Sequence, residues 1–339
     1  MWSKQAARLP AVPGRGMMRH VKKLVPFAPL LLIMLAWSTA LPADPYRPKS
    51  GGAGILTVGP GKTYALPSEA ARAAKPGDVI RIFPAVYADC ALWEADGLVI
   101  EGVGSGVIIA NKVCNDKGLF ITAGRNITIR NITFKSAHAG GHNGSGIRAE
   151  GANLTVEASR FIDNEDGILT GADADSTIII KDSYFHGNGN CIAACAHGIY
   201  AGHIALLRVV NCEFAEQHVG HHIKSRAART EIINNFVHDG PTGSASYLVD
   251  LPNGGAALLS GNRFEKGPLS QNRQTAISIG AEGQSAQNPA GEITVKDNIF
   301  SNDTRVATTF VRNYTGHPVV LRRNRFSGIV TPLGVAPDN

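Results

Sequence analysis

The stretch Thr177-Ile178-Ile179-Ile180-Lys181-Asp182-Ser183-Tyr184-Phe185 is a β-branched run, followed by a polar turn and a phenylalanine. The same order returns along most of the 339-residue chain, for example in Ile293-Thr294-Val295 before Phe300. Phenylalanine recurs at positions 134, 161, 185, 214, 236, 264, 300 and 326, and Asn stands two residues before it at 234, 262, 298 and 324. A phenylalanine that recurs every few tens of residues, with turns of variable length between the copies, predicts stacked structural units that each pack on their neighbours.

Short segments rich in Ile, Val and Thr with turn residues between them favour β-strands. We therefore predict an all-β fold, a parallel β-helix solenoid in which each coil lies about 4.8 Å above the last. The Phe and Ile side chains are expected to point inward as ladders, and the turn Asn residues to adopt left-handed backbone and bond their equivalents in the next coil. A β-propeller needs a period near about 40 residues, and leucine-rich repeats need an L-x-x-L-x-L frame, which the sequence lacks.

The start of the repeat region carries a resemblance. A short helical stretch, Ser68 to Ala74, precedes the segment Pro76-Gly77-Asp78-Val79-Ile80-Arg81-Ile82-Phe83-Pro84-Ala85-Val86-Tyr87. This arrangement resembles the pectate-lyase-like β-helix superfamily, and the resemblance extends from about Leu56 to Gly328. It implies a right-handed parallel β-helix with a short N-terminal capping helix. It does not name an activity, because that superfamily includes lyases, hydrolases, epimerases and inactive binders.

The first 43 residues have the order of a secretory signal. Lys22-Lys23 precedes an apolar run, Leu24 to Trp37, and small residues follow up to a cleavage site at Leu41-Pro42-Ala43. A membrane anchor is the weaker interpretation, because the run is shorter than the roughly 20 residues that span a bilayer. We predict a cleaved signal peptide over residues 1–43 and one β-helix domain over residues 44–339, in a periplasmic or secreted protein without a stable membrane anchor.

The charge of the chain belongs to that signal. Residues 1–43 contain six basic residues and no acidic one, so the formal net charge of +6 falls to zero after cleavage. A neutral mature chain gives no support for nucleic acid as a partner.

All five cysteines lie in the exported part, where disulfides are the default expectation. Cys90 and Cys114 lie about one coil apart, so we predict that they pair. Among Cys191, Cys195 and Cys212 one must stay unpaired within the chain, and the sequence leaves the connectivity open. A zinc site is disfavoured because Cys191 and Cys195 have no second ligand pair at finger spacing.

A second set of segments, one per coil, carries polar residues. They are Gly146 to Glu150, Gly167 to Thr170, His197 to Tyr200, His221 to Arg226 and Ser246 to Asn253. If the branched residue of each segment points inward, strand alternation places one neighbour of each in an outward file: Arg148, Leu169, Tyr200, Lys224 and Asp250. His222 and Arg226 are expected to flank Lys224 on the same outward face.

This cluster suits β-elimination on a uronic acid polymer, which removes a proton beside a carboxylate. The predicted catalytic residues are Lys224 as base, Arg226 to neutralise the carboxylate, Tyr200 or His222 to protonate the leaving oxygen, and Asp250 beside the base. Asp250 beside Lys224 opposes the loss of its proton, whereas Arg226 favours it. The predicted substrate-binding residues are Arg148, Glu150, His197, His221, Tyr247 and Asn253.

Several alternatives stay open. Lys224, Asp250 and Arg226 could be ion pairs on a solvated face, which are common and contribute little. A glycoside hydrolase is the second enzyme class, since Gly220-His221-His222-Ile223-Lys224-Ser225 partly resembles the Gly-His-Gly segment of β-helical polygalacturonases, although no Asp-Asp pair accompanies it. The third hypothesis is a non-catalytic protein that binds or guides an exopolysaccharide in the periplasm.

The same cluster has a second resemblance. Gly220 to Arg226, then Ser246-Tyr247-Leu248-Val249-Asp250-Leu251-Pro252-Asn253-Gly254-Gly255 and Gly280-Ala281-Glu282-Gly283, are similar to a group of bacterial exported β-helix repeat proteins without an assigned activity. No cofactor is implied, although the acidic turn residues Glu165, Asp166, Asp173 and Asp175 are a weak candidate for calcium. The oligomeric state is not set by the sequence.

Overall fold

The computed structural model describes residues 53–192, 194–283 and 287–335, so the predicted signal peptide lies outside the described residues. The described residues form a right-handed parallel β-helix of about 11 turns, which confirms the predicted fold class. The path of the chain passes repeatedly through three parallel sheets, with one helix at the start of the solenoid.

The elements, in chain order, are β1 (Ile55–Val58), α1 (Pro67–Ala73), β2 (Val79–Ile82), β3 (Ala85–Tyr87), β4 (Ala91–Trp93), β5 (Val99–Gly102), β6 (Val107–Ala110), β7 (Gly118–Thr122), β8 (Ile127–Arg130), β9 (Thr133–Lys135), β10 (Ser145–Ala149), β11 (Leu154–Glu157), β12 (Arg160–Ile162), β13 (Asp166–Thr170), β14 (Thr177–Lys181), β15 (Tyr184–His186), β16 (Ile199–Ala201), β17 (Leu206–Val210), β18 (Glu213–Ala215), β19 (His221–Ser225), β20 (Arg229–Ile233), β21 (Phe236–His238), β22 (Tyr247–Leu251), β23 (Ala256–Ser260), β24 (Arg263–Lys266), β25 (Thr275–Ile279), β26 (Ile293–Lys296), β27 (Ile299–Asn302), β28 (Thr308–Asn313), β29 (Val319–Arg322), β30 (Arg325–Ser327) and β31 (Val330–Val335).

Each sheet takes one strand from each coil. Sheet 1 has the order β1-β2-β5-β8-β11-β14-β17-β20-β23-β26-β29, sheet 2 the order β4-β7-β10-β13-β16-β19-β22-β25-β28-β31, and sheet 3 the order β3-β6-β9-β12-β15-β18-β21-β24-β27-β30. The inner faces of the three sheets enclose a continuous core of Ile, Val, Leu and Phe. Because neighbouring strands are parallel and about 4.8 Å apart, equivalent residues form files along the axis.

The turn between sheets 1 and 3 explains the Asn pattern. A residue in left-handed backbone comes first, such as Asn211 (φ 54°) or Asn234 (φ 55°), and the next residue is buried and bonds to the coil above. The backbone N–H of Asn235 donates to Asn262 Oδ1 at 2.8 Å, and that of Asn262 to Asn298 Oδ1 at 2.9 Å. The sequence predicts that one Asn of each turn has left-handed backbone and also bonds the next coil. In the structure two adjacent residues divide these roles.

The phenylalanine ladder is confirmed with one correction. Phe134, Phe161, Phe185 and Phe214 follow one another in register inside sheet 3, and Phe264, Phe300 and Phe326 continue the file. Between the two groups the inward residue is Val237 and not Phe236. Phe236 instead faces outward and stacks on His238 at a centroid distance of 4.0 Å. The cause is that Asn234 is the left-handed residue, so Asn235 is the ladder residue and the inward position falls one residue later.

The N-terminal end of the solenoid is covered by α1, as predicted for residues 68–74. The helix packs against β4 and β1 and buries Pro67 and Ala70. Its first turn is held by Asp89, whose Oδ2 accepts the Ser68 N–H at 2.8 Å. Burial of the end of the core under a helix prevents strand pairing at that end.

Two disulfides are present among the described residues. Cys90 and Cys114, the pair favoured by the sequence, are bonded, and Cys191 is bonded to Cys195. Cys212 is the unpaired cysteine and is buried in the core. Burial raises the pKa of its thiol to about 12, so it acts as a small apolar residue.

Candidate functional site

Sheet 2 contains the outward file that the sequence predicts. Strand register places Arg148 beside Leu169, Leu169 beside Tyr200, Tyr200 beside Lys224, and Lys224 beside Asp250. The branched residues before them, from Ile147 to Val249, are fully buried. We refer to the five outward residues as the outward file: Arg148, Leu169, Tyr200, Lys224 and Asp250.

His222 does not lie on this face, and that prediction is wrong. Its side chain is 1% exposed, and its Nε2 lies 2.9 Å from Oδ1 of the buried Asp239. Two consecutive residues of each sheet 2 strand turn inward, so simple alternation fails at this position. In two of the earlier coils the extra inward residue is Gly146 or Gly167, on which a Cβ would lie 2.8 Å from a ring carbon of Phe161 or Phe185. In β7 it is Leu119.

The coil of His222 is also the coil of the register shift in sheet 3. Gly146 faces Phe161 and Gly167 faces Phe185, which in each case is the ladder residue two strands later. The residue in that relation to His222 is Val237, which is smaller than phenylalanine. Other coils bury a larger apolar residue at the same position, for example Leu248.

A second file of side chains runs beside the outward file. Asp166, His197, His221 and Tyr247 occupy the first position of successive coils, and each side chain accepts the backbone N–H of the next. The distances are 2.7 Å from His197 N to Asp166 Oδ1, 3.0 Å from His221 N to His197 Nδ1, and 3.3 Å from Tyr247 N to His221 Nδ1. We call these four residues the imidazole ladder.

The imidazole ladder sets the tautomer of both histidines. Because Nδ1 accepts a hydrogen bond in each, the proton of the neutral ring is on Nε2. Burial lowers the pKa of His197 well below its usual value and that of His221 to about 3, so both rings are neutral at pH 7. The ring centroids of His197 and His221 are 4.7 Å apart, and those of His221 and Tyr247 are 5.0 Å apart.

The histidines differ in access to solvent. His197 is 2% exposed, so it positions His221 and presents almost no surface. The His221 side chain is 13% exposed, and its Nε2 lies 3.5 Å from Asp250 Oδ2. The ladder therefore reaches the outward file at Asp250.

Lys224, Tyr200 and Arg226 meet at the centre of the outward file. The Lys224 Nζ lies 5.1 Å from the centroid of the Tyr200 ring. Arg226 donates from Nε to Tyr200 Oη at 2.9 Å and from Nη1 to Asn253 Oδ1 at 2.7 Å. Asn253, predicted to bind substrate, is 1% exposed and so orients Arg226.

Arg226 is also held by Glu282, a residue that the sequence motif contains but that was not assigned to the site. Nη2 donates to Glu282 Oε1 at 2.6 Å, and Nη1 donates to Oε2. The two-point ion pair raises the pKa of Arg226 and lowers the pKa of Glu282. The two terminal nitrogens of Arg226 are here called the Arg226 fork. A substrate carboxylate that binds this fork must therefore take the place of Glu282.

Asp250 is buried at the end of the file. It is 5% exposed, and burial raises its pKa to about 6, while the charge of Lys224 acts in the opposite direction. Asp250 is thus mostly ionised at pH 7 and places a negative charge beside Lys224.

The other end of the file contains Arg148 and Glu150. Lys117 Nζ donates to Glu150 Oε1 at 2.6 Å, whereas Arg148 Nε lies 3.8 Å from the same oxygen. Both residues lie on the open side of sheet 2, and Arg148 is four coils from Asp250. The structure brings Tyr200, Lys224, Arg226, Asp250, His221 and Tyr247 together, and leaves Arg148 and Glu150 at a distance along the same face.

The repeat pattern of the sequence matches the profile of the right-handed β-helix region in two overlapping segments, residues 88–237 and 175–335. Together these segments cover most of the chain. The chain belongs to the right-handed β-helix family.

Solved structures resemble this β-helix protein in fold alone. ORF18 of Geobacillus virus E2 aligns with a TM-score of 0.51 and 13% identity over 78% of this chain, which spans only 55% of the viral protein. A pectin methylesterase from Yersinia enterocolitica gives 0.42 and 10% over 81% of this chain and 94% of its own. The catalytic unit of a GH87 α-1,3-glucanase from Streptomyces thermodiastaticus gives 0.44 and 13% over 85% and 66%. No curated protein matches the sequence.

The acidic residues considered for calcium do not form a metal site in this β-helix protein. Glu165 accepts the backbone N–H groups of Ala139 and Gly144 at 3.0 and 2.6 Å, and Asp173 accepts that of Asp175 at 3.1 Å. Within the described ranges, no three His, Cys, Asp or Glu side chains are grouped so that they could hold a metal ion.

A buried charged network lies behind the site and has no signal in the sequence. Lys266 is fully buried and donates from Nζ to the backbone oxygen of Ser246 at 2.8 Å, directly before Tyr247. Asp239 accepts from His222 and from the Gly267 N–H at 3.0 Å. Burial lowers the pKa of Lys266 to about 8, with Asp239 opposing the shift. The network fixes the turn that presents Tyr247.

Proposed function

We propose that this β-helix protein is an exported polysaccharide lyase that cleaves a uronic-acid-containing polysaccharide by β-elimination on sheet 2. One observation supports this most directly: Lys224, Tyr200 and Arg226 converge on one outward face, with Arg226 Nε bonded to Tyr200 Oη at 2.9 Å. A base, a proton donor and a cation for a carboxylate are the three groups that the reaction requires.

In the proposed reaction, unprotonated Lys224 removes the C5 proton of the uronate. The electron pair forms the C4–C5 double bond, and the bond from C4 to the glycosidic oxygen breaks. Tyr200 gives its proton to that oxygen, and Arg226 stabilises the resulting phenolate through its Nε–H. Return of the proton from Lys224 to the Tyr200 phenolate restores both groups for the next cycle.

The carboxylate of the substrate is assigned to the Arg226 fork. Its two terminal nitrogens already hold the Glu282 carboxylate, which shows that the fork accepts a planar anion with two oxygens. The Glu282 side chain is 39% exposed and can turn into solvent when a substrate binds. Neutralising the substrate carboxylate makes the C5 proton more acidic.

His222 is not part of the proposal, because its burial against Asp239 removes it from the face where a leaving group would lie. Of the two proton donors predicted from the sequence, Tyr200 and His222, only Tyr200 is therefore part of the proposed reaction.

Hydrolysis is less well supported. Asp166 and Asp250 are both buried carboxyl groups, and burial raises the pKa of Asp166 to about 8 and that of Asp250 to about 6, which resembles an acid and a base. They lie three coils apart, however, which is about 14 Å at about 4.8 Å per coil. An inverting glycosidase needs its carboxyl groups about 6.5–9.5 Å apart, and a retaining one needs them closer.

Export is supported by the cysteines and by the sequence of residues 1–43. Two disulfides in one chain are typical of an oxidising compartment. Within the described residues, no helix is long and apolar enough to cross a membrane.

The test is an ultraviolet assay for unsaturated uronate, using the mature chain and a panel of polyuronates with and without calcium. We expect absorbance to rise with the wild type and to be abolished by Lys224→Ala and Tyr200→Phe. Lys135→Ala, an exposed lysine on sheet 3, serves as the control and should keep activity. If no substrate gives a signal while the protein is folded, the lyase proposal is wrong, and retained polyuronate binding would then favour the non-catalytic binder.

A further inference from the structure

Several cations on sheet 1 are paired with acids of the same sheet. Arg81 Nε lies 2.9 Å from Glu101, Lys181 Nζ lies 2.9 Å from Glu157, and Arg208 Nε lies 3.5 Å from Glu231. Each of these cations has its acid in the neighbouring coil, as expected for a solvated face. Arg130 also binds Glu101 and Arg229 also binds Glu231, so these cations already have a carboxylate partner.

The outward file of sheet 2 has a different charge order. Register continues from Asp250 to Ser278 and from Ser278 to Arg312. The extended file therefore contains three cations, Arg148, Lys224 and Arg312, with three coils between the first and second and three between the second and third. At about 4.8 Å per coil, each interval is about 14 Å.

The two terminal arginines have an unmet hydrogen-bond donor. Among the described residues, Nε of Arg148 and Nε of Arg312 are buried and have no hydrogen-bond partner. The carboxylate nearest to Arg148 is Glu150 at 3.8 Å, and Lys117 already binds it. Because both Nε atoms are shielded from solvent, a ligand carboxylate would meet each arginine through its positive charge and its terminal nitrogens. The Arg148 side chain is 22% exposed, and Arg312 is half-buried.

Small residues flank Arg312 in the extended file. Its neighbours in the file are Ser278 on one side and Gly334 on the other, both small. Its Nη2 donates to Thr309 Oγ1 at 3.2 Å, which holds the guanidinium in place.

We propose that Arg148 and Arg312 are two terminal subsites for carboxylates of an acidic polysaccharide that lies along the solenoid axis, centred on Lys224. One pyranose residue of an extended chain advances by roughly the rise of one coil, so a carboxylate on every third sugar meets a cation. A chain that reaches all three cations spans seven sugars. The inference rests on the proposed function only in taking a polyuronate as the ligand.

A chain bound across the coils would behave differently. Its carboxylates would lie within one or two coils of Lys224, and neither Arg148 nor Arg312 would touch it. The length of the ligand that senses the two arginines therefore distinguishes the two directions.

The experiment compares the affinity of a trigalacturonate and an octagalacturonate for the wild type, Arg148→Ala and Arg312→Ala, by calorimetry at low temperature, with absorbance checked to show that the ligand is intact. We expect each variant to bind the octamer about tenfold more weakly, the loss typical of one charge-assisted hydrogen bond, and the trimer as the wild type does. The double variant should lose both factors.

Arg208→Ala is the matched control, because Arg208 is an outward arginine of sheet 1 bonded to Glu231. Arg148→Lys and Arg312→Lys keep the charge, so each should bind the octamer more tightly than the corresponding alanine variant. Octamer binding unchanged in both variants, or equal losses for trimer and octamer, overturns the inference. That result is separate from the lyase assay, since the wild type could cleave the polymer without these subsites, or bind it along the axis without cleaving it.

Discussion

The change Glu282→Gln tests whether the Arg226 fork is a carboxylate subsite. Glutamine keeps the size of the side chain and removes the charge that competes with a substrate carboxylate. The pair is bonded at two points but partly exposed, 39% for Glu282 and 17% for Arg226, so its contribution is about 1 kcal/mol and not the larger value of a buried pair. Removing that competition should tighten trigalacturonate binding about fivefold.

The loop that carries Glu282 should stay in place in this variant. The Glu282 backbone N–H donates to Pro252 O at 3.1 Å, and Asn288 Nδ2 donates to Ala227 O at 2.9 Å, so the loop has anchors that do not involve the carboxylate. The midpoint of thermal unfolding should therefore shift by no more than about 2 °C.

The assay is calorimetric titration with trigalacturonate and with a neutral trisaccharide. Only the acidic ligand should bind more tightly to Glu282→Gln. Glu213→Gln is the control, because Glu213 is a similarly exposed acid on sheet 3 that bonds His238 at 3.2 Å. Unchanged or weaker binding of trigalacturonate would refute the reasoning, since it would show that Glu282 is not where the substrate carboxylate binds.

Three further predictions concern stability. Asn262→Ala removes four hydrogen bonds of the asparagine ladder, with Ile232, Asn235 and Asn298, and should lower the free energy of unfolding by about 4 kcal/mol in urea titrations; a loss under about 1 kcal/mol would contradict the ladder's role. Burial raises the folded-state pKa of Asp250 to about 6, above its unfolded value, so its contribution is full below about pH 4 and is lost as pH rises through about 6. Between pH 4 and 7 the free energy of unfolding of the wild type should therefore fall by at most about 3 kcal/mol because of Asp250, and Asp250→Asn should remove that fall. The measurement is the unfolding midpoint at each pH, and the same pH dependence in both proteins would count against the prediction. Removing residues 329–339 deletes β31 and exposes the edge of β28, so light scattering should show more aggregation, and unchanged solubility would argue against an unprotected edge.

The fold could be predicted because its signal is repeated. A single run such as Thr177 to Phe185 is ambiguous, but seven or more copies with one turn chemistry leave a stacked solenoid as the consistent interpretation. The outward file could also be predicted, since a parallel strand with one buried branched residue fixes its neighbour's side. The pairing of Cys90 with Cys114 could be predicted because the two residues lie about one coil apart in the sequence.

Two errors arose where the repeat is irregular. Phe236 looks like a ladder residue because Asn234 stands two residues before it, yet Asn234 is the left-handed residue of the turn. His222 looks outward because alternation is assumed, yet two consecutive positions turn inward in sheet 2. Neither the turn conformation nor the double inward position is visible in a pattern of residue types, and Glu282 reaches the site from a coil 56 residues away.

The two errors lie in one coil, and this bears on where the site lies. The shift of one residue at Asn234 puts Val237 in the place of a phenylalanine, and in the same coil His222 is buried against Asp239. The strand that contains His222 is also the strand of Lys224, with Arg226 directly after it. A solenoid repeats the same environment at every coil, so a local site requires a departure from the repeat. Lys224 and Arg226 belong to this irregular coil and Tyr200 to the coil before it. This coincidence is the structural argument that sheet 2 has a function beyond that of a solvated face.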